Sequence, residues 1–562
     1  MQLSHLSADR MLLRIAFIFI VLCLLLGDIV AQQPTASRND DFLNTIGVVG
    51  HIASNITVYL DARGVASDVQ YIGARKFREA LNADQSWQIV VLQALAKNGV
   101  KILAIPPNTG LSNTSYPLVI TDLLKTAKTW NSFAPNALYV IEGPNEPVNF
   151  PITYAGLQGG GPNGSFIPVA NFQRDWYAAI KADPILKDIP VWSVTQPGGQ
   201  NENVGLQFLT IPGSSGAIFP AGTTYADGLN LHVYTVFENS PATVAGISYY
   251  DVALGKDFVT TYRKQYSGYT LTQAKALPKG ITEFGYHTGG GPGPAVDLPT
   301  QAKNISTGLF NAFVQGYSVT CIYDLYDIGD GFGIFSKTGT PRTTGTYLHN
   351  LTTIMNDPGT NAAMFTPESL KFSLSGLPTT AMYQLFQKSD GHFQLVIWNN
   401  VNNYNLTTQQ PISIAPVNVT ISLDTFRADM QVFDPTVGTF ATNSSINTTS
   451  ATVALADYPL IIDILPRSAS SATNIDNSAT RKVEIYPNPL TIRFDVVFSA
   501  ESEIRDAKIS IYDCSGKEIK KVPITSHLTT IDRADIKSGV YFYRVVNNKK
   551  TVFGKLIVMD QF

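Results

Sequence analysis

The stretch ALYVIEGPNEPVNF, residues 137–150, decides how the chain is read. Its first half is apolar and β-rich. Its second half holds Glu142, Gly143, Pro144, Asn145, Glu146 and Pro147. A strand buried on both faces reads as a continuous apolar run, as in a parallel sheet covered by helices. Two carboxylates at the end of such a run mean either a polar turn or acidic groups mounted on a rim.

The flanking sequence separates the two. Eight short apolar segments recur at 46–52, 71–77, 100–106, 137–143, 189–195, 228–234, 279–285 and 318–325. Helical patterns lie between several of them: SWQIVVLQALAKNG, PLVITDLLKTAKTW, NFQRDWYAAIKA and NISTGLFNAFVQGY. Strands alternating with helices predict a parallel α/β sheet, and eight strands close a (β/α)8 TIM barrel. An open doubly wound sheet competes, but no Gly-rich phosphate loop follows any strand. The barrel is placed at 40–356. From 365 to 466 short strands follow one another through turns, with KSDGHF as a hairpin signal, which predicts an antiparallel β-sandwich. RSASSATNIDNSATRK, 467–482, reads as a linker, and 483–562 as a small all-β domain.

A chain of 562 residues exceeds a single core. Its formal net charge of −3 offers no basic footprint, so neither nucleic acid nor an anionic membrane surface is an expected partner. Arg10 and Arg14 precede the apolar run IAFIFIVLCLLL, which is short for a bilayer and suits a signal peptide spanning 1–31. No stable transmembrane segment is expected once it is removed. Cys23 would leave with it. Cys321 and Cys514 remain, far apart, forming neither a disulfide framework nor a zinc pattern.

In a barrel of this kind the C-terminal strand ends carry the active face. Glu146 lies just past the fourth predicted strand, and Glu283 near the end of the seventh, in ITEFGYHT. Two carboxyls about 5–5.5 Å apart can cleave a glycosidic bond, one attacking carbon while the other protonates the leaving oxygen. That chemistry needs one ionised and one protonated group, set by donors, burial and neighbouring charge.

Asn145-Glu146-Pro147 after strand four, with a glutamate ending strand seven, resembles clan A of the glycoside hydrolases, nearest to families 39 and 5. The resemblance implies a retaining barrel enzyme with Glu146 as acid/base and Glu283 as nucleophile. It implies that Asn145 contacts the sugar hydroxyl beside the reacting carbon. HVY matches the His-x-Tyr often ending strand six, which places His232 and Tyr234 at the substrate and Tyr234 on the nucleophile. Arg78, in GARKFREAL, resembles the arginine that keeps the nucleophile ionised. YDLYDIGDGFGIFSKTGTPRTTGTYLHNL resembles the close of strand eight, with Arg342 where a lysine is more usual. Many members carry a tryptophan there; this chain has Tyr323 and Tyr326, and Tyr323 is the expected substrate contact. Glu142 is read as a support that pairs with Arg75 or Arg78. His51 could reach the cleft, and Trp192 reads as core. Asp324, Asp327 and Asp330 lack EF-hand spacing and read as a solvated loop. No metal and no cofactor is expected.

VEIYPNPL, SIYDCSGKEI, IDRADIKSGVYFYRV and GKLIV follow in order near the C-terminus. They resemble the C-terminal sorting domain of type IX secretion substrates in Gram-negative bacteria, with its pieces at 486–489, 516–519, 536–541 and 555–558. The resemblance implies passage through the periplasm, recognition by the type IX machinery, and release or surface attachment. The expectation is a secreted retaining glycoside hydrolase acting on a β-linked poly- or oligosaccharide. The alternatives are a glycan-binding surface protein on a barrel scaffold, or a transglycosylase using the same residues.

Overall fold

The computed structural model describes residues 31–558 apart from 83–84, 108–115, 162–163, 196–204, 207–218, 235–267, 291–294, 406, 425, 467–483, 487–489, 491–492, 499–506, 514–516, 527, 535 and 547–550. All of the expected signal peptide but its last residue, and the expected linker, lie outside the described residues. The chain divides into two compact units, Met1–Arg467 and Ser468–Phe562.

In the first unit seven strands form one parallel sheet: Ile46–Val49, Lys76–Ala80, Lys101–Ile105, Leu138–Ile141, Leu229–Val233, Lys279–Phe284 and Thr320–Ile322. The last of these pairs with the first, Thr320 opposite Ile46. The sheet edges are Leu138–Ile141 and Leu229–Val233. Isolated parallel bridges, Ile141 to Val191 and Trp192 to Gly228, reach from one edge to the other. The expected strand 189–195 is therefore present only as bridges. Pro190 has no N–H to give, and the Val191 N–H goes to the Asp227 carboxylate at 2.9 Å instead of a ladder. The expected strand 71–77 is also corrected. Tyr71 closes the helix Ala62–Tyr71, Gly73 turns the chain at φ +67°, and the strand starts at Lys76. Arg78 thus lies inside its strand, not after it.

The outward side chains of these strands and the helices around them share one apolar cluster that includes Ile46, Val48, Phe77, Ile102, Ile141, Leu229, Leu231 and Ile281. Inside, Val49, Leu103, Val140, Trp192, Val319 and Cys321 form a second cluster. The surrounding helices include Ser86–Lys97, Ile120–Asn131, Ile167–Ala182, Leu298–Val314 and Thr343–Met355. Two of them begin with a proline in the first turn, where its missing N–H costs nothing. Asp297 caps Leu298–Val314 by accepting the Thr300 N–H at 2.8 Å.

Two further sheets, one of four and one of six strands, enclose a separate apolar cluster. Val419, Ile421 and Leu423 from one, and Ala428, Met430 and Val432 from the other, alternate into it with the two-residue period of a half-buried strand. KSDGHF is the expected hairpin: it joins Ala381–Gln387 to Phe393–Asn399 through Gly391 at φ +91°. The Leu298–Val314 helix binds this layer to the parallel sheet. Phe310 stacks on Phe42 at 4.4 Å and on Trp398 at 5.4 Å, and the Trp398 indole donates to Asn311 at 2.8 Å.

The second unit holds a three-stranded and a four-stranded antiparallel sheet around a cluster that includes Phe494, Val496, Ile509, Ile511, Val545 and Leu556. Among the described residues no helix is long and apolar enough to cross a membrane.

Candidate active site

Arg78 organises the interior of the parallel sheet. It projects inward from Lys76–Ala80 and is 1% exposed. Nε and Nη2 donate to the two oxygens of Glu142 at 2.8 and 3.1 Å. Nη1 donates to Glu283 at 2.7 Å, and Nη2 also to Asn145 at 2.7 Å. Glu142 is held besides by Asn230 Nδ2 at 2.8 Å. Of the two expected partners for Glu142, Arg78 is the one observed; Arg75 pairs with Asp40 at 2.6 Å. A guanidinium that spans two buried carboxylates in fixed fork geometry fixes where both carboxylates sit.

A β-bulge aims Glu283. Leu231 lies opposite Ile281, but His232 lies opposite Glu283, so Thr282 is the extra residue. Consecutive residues then both face inward. Thr282 donates to Asn230 at 2.6 Å, and Glu283 receives Arg78 on one oxygen and the Tyr234 hydroxyl on the other at 2.6 Å. Burial alone would push the Glu283 carboxyl up. Arg78, and the hydrogen bonds from Tyr234 and Arg78, outweigh it and hold the group below the usual carboxylate value. Burial first, and then the Glu283 charge, push the Tyr234 phenol well up, so it stays a donor.

Glu146 arrives from the loop that opened the sequence reading. Gly143 is needed because a Cβ there would lie 1.9 Å from Gln173 Oε1 and 2.8 Å from the Val194 nitrogen. Asn145 bridges Thr195, and the Glu146 N–H donates to the Thr195 carbonyl at 3.0 Å. Glu146 itself sits at φ +42°, a region that side chains with a Cβ seldom occupy. Its oxygens meet His232 Nδ1 at 2.7 Å and Asn149 Nδ2 at 2.9 Å. His232 Nε2 faces Arg78 Nη2 at 3.3 Å. A guanidinium only donates, so Nε2 accepts and Nδ1–H donates to Glu146. One oxygen of Glu146, one of Glu283 and a nitrogen of His232 lie within 4.8 Å of one another.

Glu146, Glu283, Asn145, His232, Tyr234 and Arg78 therefore meet in one place. Tyr323 stands beside them, edge-on to Tyr234 at 6.0 Å and to Phe332 at 5.3 Å. Tyr326 does not join: it is buried elsewhere and donates to Asp68 at 2.7 Å. Trp192 is core, 2% exposed. His51 begins the short 3-10 turn Ile52–Ser54 just past its strand, 5.3 Å from the Tyr323 ring. The aspartates are not one solvated loop. Asp324 is fully buried, because Leu325 bonds back to Val49 at 3.1 Å and Ile334 covers it through the Asp324 carbonyl at 3.0 Å. Asp327 pairs with Arg342 at 2.7 Å.

Sequence reasoning missed Asn230, Glu79 and Asp324 as parts of this neighbourhood. An asparagine within the apolar segment GLNLHVY was the available signal for the first. Glu146, His232 and Glu283 have the atom types to bind a divalent cation. Arg78 already places a positive charge 2.7 Å from Glu283 and opposes a second one there.

Residues 484–559 match the secretion system C-terminal sorting domain. The expected tail is present, and it marks the chain for secretion or surface attachment. No match was found among curated proteins. Among solved structures, the chain is similar to an endo-β1,6-glucanase, with 10% identity and a TM-score of 0.43 over 78% of this chain and 94% of that one. It is similar to the SrfJ protein of Salmonella typhimurium at 8% identity and TM-score 0.43, over 78% and 91%. For a β-glucuronidase of Parabacteroides merdae the values are 9% and 0.36, over 94% of this chain and 64% of that one. With TM-scores below 0.5 these are distant similarities.

Proposed function

We propose that the chain is a secreted glycoside hydrolase that cleaves a β-linked poly- or oligosaccharide by double displacement. The reading includes an eight-stranded barrel at 40–356, closed through the 191–195 bridges, an antiparallel sandwich at 365–466, a linker at 467–482 and the sorting tail. One observation carries it. Three buried carboxyls face one guanidinium, and Arg78 touches Glu142 and Glu283 but not Glu146.

That asymmetry supplies the two unequal groups the reaction needs. Glu283, ionised by Arg78 and oriented by Tyr234, attacks the sugar carbon. Glu146, the carboxyl without a cation contact, gives its proton to the leaving oxygen as the glycosidic bond breaks. A water then enters, gives a proton to Glu146, and its oxygen attacks the same carbon, returning Glu283 as a carboxylate. The oxygens' approach within 4.8 Å favours direct attack over the wider gap of about 6.5–9.5 Å that an intervening water needs. Asn145, held by Arg78, is the group positioned for a sugar hydroxyl.

The test is a hydrolysis screen over β-linked glycans with wild type, Glu283→Ala and Glu146→Ala. Wild type should release product, and Glu283→Ala should lose it while still binding the glycan. Azide should restore Glu146→Ala by replacing the water step, giving a glycosyl azide of retained configuration. Equal behaviour of all three proteins on every glycan would overturn the proposal in favour of a binding protein. Longer products with excess acceptor would identify a transglycosylase.

A further inference from the structure

Opposite the carboxyl pair, where the first and last strands of the sheet meet, lies a group of polar atoms that the reaction above does not use. Asp324 is completely buried, and among the described residues no other residue hydrogen-bonds its carboxyl oxygens. His51 Nε2 lies 3.4 Å from one of them and is likewise buried without a hydrogen bond. The Tyr59 hydroxyl, of a third group, is a fourth such atom, close to the Tyr326 backbone and near enough to Asp324 to be pushed up by it after burial. Unsatisfied buried polar groups are costly and few in folded proteins, so three together call for a reason.

We propose that His51 is a substrate-contacting residue, with Asp324 holding its ring so that Nδ1–H is presented to a hydroxyl oxygen of the sugar beside Glu283. This rests on the hydrolase reading and assigns a specificity residue to its sugar site. Position supports it. The His51 ring is edge-on to Tyr323, Tyr323 is edge-on to Tyr234, and Tyr234 donates to Glu283. His51 keeps 23% of its side chain exposed while Asp324 keeps none. Among the described residues the ring makes no other polar contact, so Nδ1 is free for a ligand.

The chain holds His51 in place rather than leaving it on a loose loop. Glu79 accepts the N–H groups of the next two residues, Ile52 at 2.9 Å and Ala53 at 3.3 Å. A Cβ at Gly50 would lie 2.1 Å from the Phe77 ring, so the strand enters this turn at the closest approach a glycine allows.

Protonation supports the tautomer. Burial first, then Asp330 and Asp327, push the Asp324 carboxyl well above its usual value, against smaller opposite pulls from its own backbone N–H and from Arg342. Burial first, and Arg78, bring His51 down to about 4 against the pull of Glu283. Both shifts favour the neutral form of the pair. A neutral carboxyl has one O–H to give, and Nε2 is the acceptor within reach; a short rotation of the ring aligns the bond. An imidazole that accepts at Nε2 carries its hydrogen on Nδ1.

The test has two arms on the full chain. In the first, 15N-labelled histidine reports ring tautomers by NMR, with His51 assigned from its loss in His51→Gln. His51 should be neutral with hydrogen on Nδ1 at pH 7 in wild type and Asp324→Asn, whose amide can still donate, and should change tautomer in Asp324→Ala. A cationic ring or hydrogen on Nε2 in wild type overturns the proposal. In the second, kcat/KM is measured on whichever glycan the screen shows to be cut. His51→Phe and Asp324→Ala should each lower it roughly 10- to 100-fold, and Asp324→Asn should recover most of the loss. A change under twofold in His51→Phe, with its melting temperature unaltered, overturns the substrate contact. If no glycan is cut, the hydrolase reading fails and the substrate contact fails with it, while the tautomer still decides the Asp324–His51 pair.

Discussion

Arg78 shows what one residue holds together and how far its surroundings could be read. The pairing of Glu142 with an arginine, and the meeting of Glu146 with Glu283, are legible because apolar strands ending in carboxylates have few ways to be satisfied. Their roles stay with the proposal. Arg75 and Arg78 could not be told apart, because a two-residue period puts inward and outward positions in doubt until the strand start is known. Replacing Arg78 by lysine removes the fork: a single ammonium cannot reach Glu142, Glu283 and Asn145 together. Arg78→Lys should lower kcat/KM by about a thousandfold or more, since it unsettles both nucleophile and support. Arg78→Ala should destabilise the fold by about 3–5 kcal/mol in urea unfolding, the cost of leaving buried carboxylates unpaired. The pH dependence follows from Glu283. Its folded value lies below its ordinary 4.5, so its ionisation stabilises the fold above 4.5, and that stability is lost as pH falls through the folded value. Wild type should therefore lose more stability than Glu283→Gln on going from pH 6 to pH 3. Equal losses would show that the nucleophile is not held ionised.

At the scale of the element, the alternation of strands and helices is what the sequence displays well, and strand boundaries are what it hides. A glycine after a helix looks like strand punctuation, so the sequence pattern predicts a strand from 71 where Tyr71 ends a helix. The bulge at Thr282 is not visible either, because a period of two says nothing about an inserted residue. Trp192 was legible as core, but its reason was not. It fills the interior where the 191–195 bridges join the two sheet edges, and the neighbouring strands make room with glycine. A Cβ at Gly280 would lie 2.1 Å from the indole, and one at Gly228 would lie 2.5 Å from it. Neither glycine is needed for a positive φ, so the demand is purely steric. Gly280→Ala should cost about 1–3 kcal/mol through overpacking, and Trp192→Ala about 3–5 kcal/mol through the cavity it leaves. In the double variant Trp192→Phe/Gly280→Ala, the smaller ring should return part of the Gly280→Ala loss. Additive losses in thermal unfolding would mean that the glycine serves something other than the ring.

At the scale of the whole molecule, the order of the parts could be read from changes in pattern, because helical patterns give way to strands, with no helix after Met355 among the described residues, and the small polar stretch 467–482 follows. Which strands may be cut away could not. The strand Leu460–Pro466 is the last before that stretch, yet it lies between Phe393–Asn399 and Ala428–Phe433 in the middle of the six-stranded sheet. Its Ile462 and Ile464 are fully buried in the core shared with the four-stranded sheet, and Ile461 packs into the main cluster. A chain that stops at Pro466 keeps both ladders of this strand. One that stops at Tyr458 loses both and opens an apolar core. The first truncation should therefore fold and keep any glycan-cleaving activity of the full chain, while the second should be insoluble or bind a hydrophobic dye. The same cut removes the sorting domain at 484–559, so in a host with the type IX machinery the Pro466-ended chain should accumulate in the periplasm while the full chain reaches the surface or the medium. Cell fractionation with an activity assay separates the outcomes. A Pro466-ended chain found outside the cell would remove the tail from the account of export, and an unfolded one would show that the first unit depends on residues beyond its own sheet.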